Sequence, residues 1–124
     1  MRPALTTVEA SGHLAAAAYL MKHAGATALV VVDDEQARRP IGLITDADVA
    51  KAVADARDVN EVRVHDLMTT QLTVVTADTG IREAATIMVV GHYRHLPVVG
   101  GTGLVGMLDI GDVCRALLDL PAAG

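Results

Sequence analysis

Gly42-Leu43-Ile44-Thr45-Asp46-Ala47-Asp48 returns later in the chain as Gly106-Met107-Leu108-Asp109-Ile110-Gly111-Asp112. The echo reaches well beyond these heptads. At the same offset Val49 and Ala52 fall on Val113 and Ala116. Upstream, with an offset longer by three, Leu5-Thr6, Val8, Ala10, Ala17-Ala18, Met21, Leu29 and Val31-Val32 fall on Leu72-Thr73, Val75, Ala77, Ala84-Ala85, Met88, Leu96 and Val98-Val99. Two copies of one unit therefore make the chain, and within each copy a loop separates the two matched stretches, three residues shorter in the second copy. A ligand cleft between two pseudo-symmetric halves is the natural expectation, because concave sites favour the seams of packed units.

The heptads themselves read as the end of a strand and the start of a helix. Thr45 followed three residues on by Asp48 is a capping box: the hydroxyl accepts from a free backbone N–H, and the carboxylate accepts from the N–H of the cap residue. Asp109 and Asp112 repeat it, so a purely structural role explains both copies. A helix start also presents unpaired N–H groups at the positive end of its dipole, which attract an anion such as phosphate. A carboxylate one turn in can accept two hydrogen bonds from a diol such as ribose.

Each copy then reads strand, helix, strand, strand, helix. Leu5 to Val8 is a short strand, and Leu14, Ala17, Ala18 and Met21 form the core stripe of a helix, repeated by Ile81, Ala84, Ala85 and Met88. Ala28 to Val32 and His95 to Val99 are apolar, β-branched strand runs, followed by strands over Ile41 to Ile44 and Leu104 to Leu108. The loop Asp33 to Pro40 is charged, whereas Gly100-Gly101-Thr102-Gly103 is a hairpin. Closing helices begin at Asp46 and Ile110. The boundaries are residues 1–57 for the first copy, 58–66 for a polar linker with a short helical turn before Met68, and 67–122 for the second copy.

With 124 residues each half is marginal alone and stable only with the other. There is no Phe or Trp, so the core must be Val, Leu, Ile, Ala and Met, and any surface that stacks on a base is aliphatic. Lys and Arg number 10 against 15 Asp and Glu, a net charge of −5, which disfavours nucleic acid and anionic lipid as partners. No apolar run approaches a bilayer span and no signal-like segment opens the chain, so a cytoplasmic location is expected. The single Cys114 excludes an internal disulfide and fits a reducing compartment.

The duplicated strand-helix-strand-strand-helix unit, the Gly-x-x-Thr-x-x-Asp ending of residues 42–48, and Arg94-His95-Leu96-Pro97-Val98-Val99 together resemble the cystathionine-β-synthase (CBS) domain family. The resemblance covers the chain from about Leu5 to about Leu120. It implies an α/β (α+β) fold of two pseudo-symmetric β-α-β-β-α motifs packed sheet to sheet into one module, a Bateman module. It further implies a regulatory, non-enzymatic role: binding an adenosine compound such as AMP, ADP, ATP, S-adenosylmethionine or NAD(H) in the cleft between the motifs and signalling to a partner protein. The alternative is a ligand-independent dimerisation or interaction module. Family modules also pair through their outer helices into a disc, which makes a homodimer the expectation, with Ala16 and Ala50 allowing close contact.

Carried over residue by residue, the resemblance gives Asp48 the ribose hydroxyls, places Thr45 near the sugar-phosphate and lines the base with Leu43 and Ile44. The other copy lends the phosphate contacts, here Arg94 and His95, in the reverse of the commonest His-Arg order. Thr73 matches a position that meets the base through its backbone. A second, weaker site falls on Thr6, Asp109 and Asp112. Its partner positions, Thr27 and Ala28, carry no charge, and Asp109 stands where the family has Ser or Thr. A phosphate there would face a like charge, worth roughly 4 kcal/mol of repulsion at about 4 Å and an effective dielectric near 20.

No nucleophile-and-base arrangement or phosphate-binding loop with a Lys occurs, so neither an enzyme nor a catalytic cofactor is expected. His92, His95 and Asp109 lack diagnostic metal spacing, and no metal site is assigned. Cys114 reads as a small buried packing residue of a closing helix, and Arg38-Arg39 as part of a solvated loop.

Overall fold

The computed structural model describes residues 6–33, 38–101 and 103–118. Leu5, Thr102, Leu120 and the far end of the second copy lie outside the described residues. The chain divides into two compact units, one spanning residues 6–72 and the other containing everything described from Thr73 onward.

The first unit runs β1 (Thr7–Glu9), α1 (Leu14–Ala24), β2 (Ala28–Val32), β3 (Pro40–Thr45) and α2 (Asp46–Ala54). The second repeats it as β4 (Val75–Thr76), α3 (Ile81–Gly91), β5 (His95–Gly100), β6 (Gly103–Asp109) and α4 (Ile110–Leu117). Each unit holds a three-stranded sheet, ordered β1-β2-β3 and β4-β5-β6, with the first pair parallel and the second antiparallel. Both antiparallel pairs shift register at the same place in the repeat, between Val31 and Val32 and between Val98 and Val99. The two β-α-β-β-α units read from the sequence are thus present.

The strands differ in one detail with a local cause. β1 begins with the pair Thr7–Val30, but β4 begins one pair later, at Val75–Val98. The missing counterpart is Val74–Pro97, and proline has no N–H to contribute to a ladder.

Helical spacing places Leu14, Ala17 and Met21 of α1 in a core with Val8, Leu29, Val31, Ile44 and Ala52. Ala84 and Met88 of α3 do the same with Val75, Leu96, Val98 and Val113. The two first helices also end alike. Gly25 and His92 both take the left-handed conformation, and the next N–H, of Ala26 or Tyr93, donates back to the Met21 or Met88 carbonyl at 2.9 and 3.0 Å. Glycine does this freely, and a histidine pays for its Cβ.

The segment between the copies is more than a spacer. Val62 and Val64 are buried in the first core. The carbonyls of Val62 and Val59 accept from the N–H groups of Leu14 and Ala15 at 2.8 and 3.0 Å. His13, the residue before α1, makes no side-chain cap, so this segment satisfies the helix start instead. The short helical turn is a 3-10 turn at Val64–Asp66. Beyond it, Leu43 and Thr69 form an isolated antiparallel bridge.

One expectation needs correction. Cys114 is exposed, because Val113 occupies the inward position of α4 and the following residue is turned about 100° away. Arg39 is exposed, as a solvated loop residue would be; its guanidinium pairs with the Asp33 carboxylate at the surface, and the Asp33 N–H donates to the Arg39 carbonyl at 3.2 Å.

Candidate functional site

In the first unit, β3 delivers Thr45 to the start of α2, and both halves of the capping box form. The Asp48 N–H donates to the Thr45 hydroxyl oxygen at 3.2 Å, and Asp48 Oδ2 accepts from the Thr45 N–H at 2.9 Å and from its hydroxyl at 3.0 Å. Oδ1 of Asp48 accepts no hydrogen bond from any described residue. The N–H of Asp46 is used differently, donating to the Thr27 carbonyl at 2.9 Å and tying the helix start to the entry of β2. Asp48 and Thr45 are half-buried, as is Leu43, while the Ile44 side chain is fully buried in the core.

The second unit repeats this framework with different chemistry. The Asp112 N–H donates to Asp109 Oδ1 at 2.7 Å, and Asp112 Oδ2 accepts from the Asp109 N–H at 3.1 Å. The Ile110 N–H donates to the Arg94 carbonyl at 2.9 Å, which makes Arg94 the counterpart of Thr27. His95 lies directly across the sheet from Asp109, where the first unit has Ala28 across from Thr45. Asp112 differs from Asp48 in one respect: its Oδ1 accepts from Arg115 Nη2 at 3.1 Å. Burial by itself raises the pKa of Asp112, but the Asp109 N–H and the Arg115 guanidinium outweigh it and hold the carboxyl below its usual value.

Of the other residues singled out from the sequence, Arg94 is exposed and His95 half-buried at the start of β5. Thr6 sits just before β1, and Thr73 lies two residues before β4 rather than in it, both half-buried. The structure thus brings together Leu43, Ile44, Thr45 and Asp48 on one strand-helix junction, and Asp109 and Asp112 on the other. Reading the sequence for caps alone missed Arg115. Its signal was present, since an Arg three residues after an Asp in a helix is a pairing distance.

No group of three or more His, Cys, Asp or Glu among the described residues is arranged to hold a metal ion. Among the same residues no helix is long and apolar enough to cross a membrane.

These features match known proteins along the whole chain. The CBS domain matches residues 1–55 and again residues 64–119. An uncharacterized 17.7 kDa protein of Acidianus ambivalens is 39% identical over 108 residues, 86% of this chain and 63% of that protein. The mitochondrial CBS domain-containing protein CBSX3 of Arabidopsis thaliana is 36% identical over 94 residues, 73% of this chain. The chain spans only 46% of that relative, so it corresponds to about half to two thirds of these relatives' length. Among solved structures, a protein with CBS domains from Burkholderia ambifaria is similar at a TM-score of 0.85 and 29% identity, over 98% of this chain and 88% of that one. CBSX2 in complex with AMP is similar at a TM-score of 0.75 and 31% identity, over 95% of this chain and 90% of that one. A duplicated β-α-β-β-α unit, with a capped helix closing each copy and a family match to each copy, leaves one conclusion: this chain belongs to the CBS domain family, as a tandem pair forming a Bateman module.

Proposed function

We propose that the chain is a ligand-sensing regulatory module whose first copy binds an adenosine-containing ligand through Asp48 and reports its occupancy to a partner protein. A regulatory, non-catalytic role is that of the family. The ligand class is our reading, and the single observation behind it is the Asp48 carboxylate. One of its oxygens is spent on the helix cap, and the other is left to accept from a ribose hydroxyl. The cap orients the carboxylate, so little ordering is lost on binding. The similarity to a protein solved in complex with AMP supports an adenine nucleotide as first candidate. ADP, ATP, S-adenosylmethionine and NAD(H) share the adenosyl group and belong to the same class.

In this reading Leu43 supplies apolar contact to the base, and Ile44, its side chain committed to the core, contributes backbone alone. Thr45 lies by the sugar-phosphate, Thr73 offers its backbone to the base, and Arg94 and His95 read the phosphate. A site on Thr6, Asp109 and Asp112 is the weaker of the two.

Calorimetric titration of AMP, S-adenosylmethionine and NADH into the wild type, Asp48→Ala and Asp112→Ala tests the reading. Each variant loses half a capping box, at a similar cost on the order of 1 kcal/mol. Binding of at least one ligand by the wild type, lost in Asp48→Ala and kept in Asp112→Ala, is the expected result. Equal losses in the two variants, or no binding by the wild type, count against it.

A further inference from the structure

The two copies have the same cap but differ in what reaches the carboxylate. In the second, Arg115 Nη2 donates to Asp112 Oδ1 at 3.1 Å while the Asp109 N–H donates to Oδ2 at the same distance, so each oxygen already has a donor. The residue equivalent to Arg115 in the first copy is Lys51. Lys51 forms no ion pair with Asp48, whose Oδ1 accepts from no described residue. Arg115 reaches back because a planar fork on a long stem can lie along the helix surface. A Cβ on Gly111 would lie 3.7 Å from both Nη atoms, an ordinary van der Waals contact, so a side chain as small as alanine there leaves the guanidinium in place. The first copy has Ala47 at that position, so the difference between the copies lies in the residue three after the Asp rather than in the one before it. Asp112 is also well covered, its side chain 18% exposed against 38% for Arg115, so a diol arriving from solvent meets the arginine first.

We propose that Arg115 is an internal latch that takes the second copy's carboxylate out of use, leaving the tandem pair with one working nucleoside site. The inference rests on the reading of Asp48 as the ribose-holding group and adds what silences its counterpart. Charge alone does not make the difference, since Lys51 and Arg115 are both cations. What differs is the geometry of the head group: arginine offers a forked, weakly hydrated donor set that matches a carboxylate, and lysine a compact, strongly hydrated ammonium. Like charge between Asp109 and Asp112 is then partly offset by Arg115 and is not the main obstacle to a neutral diol.

Adenosine, which has no phosphate, is the probe, and the background is Asp48→Asn. Asparagine still accepts from the Thr45 N–H but presents an amide where the free carboxylate oxygen stood. In that background Arg115→Lys, which copies the first unit and keeps the charge, is expected to tighten adenosine binding on the order of tenfold, the worth of one charge-assisted hydrogen bond. Arg115→Met, which keeps the apolar stem, is expected to do the same, and adding Asp112→Asn to either should abolish the gain. Melting curves of each variant establish that it is folded. In the wild type, adenosine should bind with a stoichiometry of one per chain. A stoichiometry of two in the wild type overturns the latch, as does the absence of any gain in the two Arg115 variants. Absence of Asp48-dependent binding in the wild type overturns the function proposed for Asp48; the latch is still decided by the gain, present or absent, in the Asp48→Asn background.

Discussion

Leu43 and Thr69 exchange both of their backbone hydrogen bonds, each N–H donating to the other's carbonyl at 2.9 Å. Through this pair the chain leaving the first unit is held alongside β3, next to the strand-helix junction that carries Thr45 and Asp48. The approach is close enough to explain why residue 42 has no side chain. A Cβ built on Gly42 would lie 2.7 Å from Met68 Sδ and 3.0 Å from the Thr69 carbonyl oxygen.

Gly42→Ala should therefore destabilise the protein. The Met68 thioether can swing aside, but the Thr69 carbonyl is backbone and fixed by its bridge. Overpacking of this kind costs about 1–3 kcal/mol, more than the ~0.5–1 kcal/mol that alanine recovers over glycine inside a strand. Urea unfolding should show a lower midpoint at an unchanged slope. A variant as stable as the wild type would mean that the bridge yields without cost.

Acid should remove the contribution of Asp112. Its folded pKa lies below its ordinary value, so the carboxylate contributes fully above the unfolded-state value of about 3.9 and loses that contribution as pH falls through the folded value. The stability gap between the wild type and Asp112→Asn should be widest near neutrality and shrink below about pH 4. Arg115→Met should move the carboxyl titration upward, read by carbon NMR of the Asp112 side chain. A gap independent of pH would show that the capping geometry, rather than charge, carries the effect.

If Arg94 reads a phosphate, Arg94→Ala should weaken AMP and leave adenosine nearly unchanged. A charge-assisted hydrogen bond contributes roughly 1.5–3 kcal/mol only when its anion is present, so the AMP loss should be about tenfold or more. Arg94 is exposed, and its truncation should cost little stability. Matching losses for AMP and adenosine in competitive titrations would assign the side chain a role in pocket shape instead.

The helical surfaces carry a prediction about assembly. Val89 and Val90 near the end of α3 are 70% and 75% exposed, and Leu117 at the end of α4 is 47% exposed. Ala16 of α1 and Ala50 of α2 are exposed as well. Apolar side chains on paired helices fit a homodimer through these faces. Sedimentation should give about twice the 12.9 kDa chain mass, and Val90→Glu should shift the protein toward monomer. A wild type that sediments as a monomer at high concentration would remove the pairing.

Much of this architecture was legible in the residues, and for a local reason. The helical stripes Leu14-Ala17-Met21 and Ile81-Ala84-Met88, the strand run Ala28 to Val32 and the caps at Thr45 and Asp109 all depend on neighbours within one turn or one pleat. Residue type at fixed spacing specifies such elements, and the duplication repeats the signal. What only the tertiary structure decided lies in contacts blind to side-chain identity or set by rotamer choice. The carbonyls of Val59 and Val62 that cap α1 act across more than forty residues, and any residue has a carbonyl to offer. The Leu43–Thr69 bridge is equally anonymous, with the absent Cβ of Gly42 its single trace in the sequence. Asp48 and Asp112 stand at matching positions in matching caps. Which one keeps an oxygen free depends on where the side chain three residues on comes to rest, and that is decided by the space around it in the folded chain.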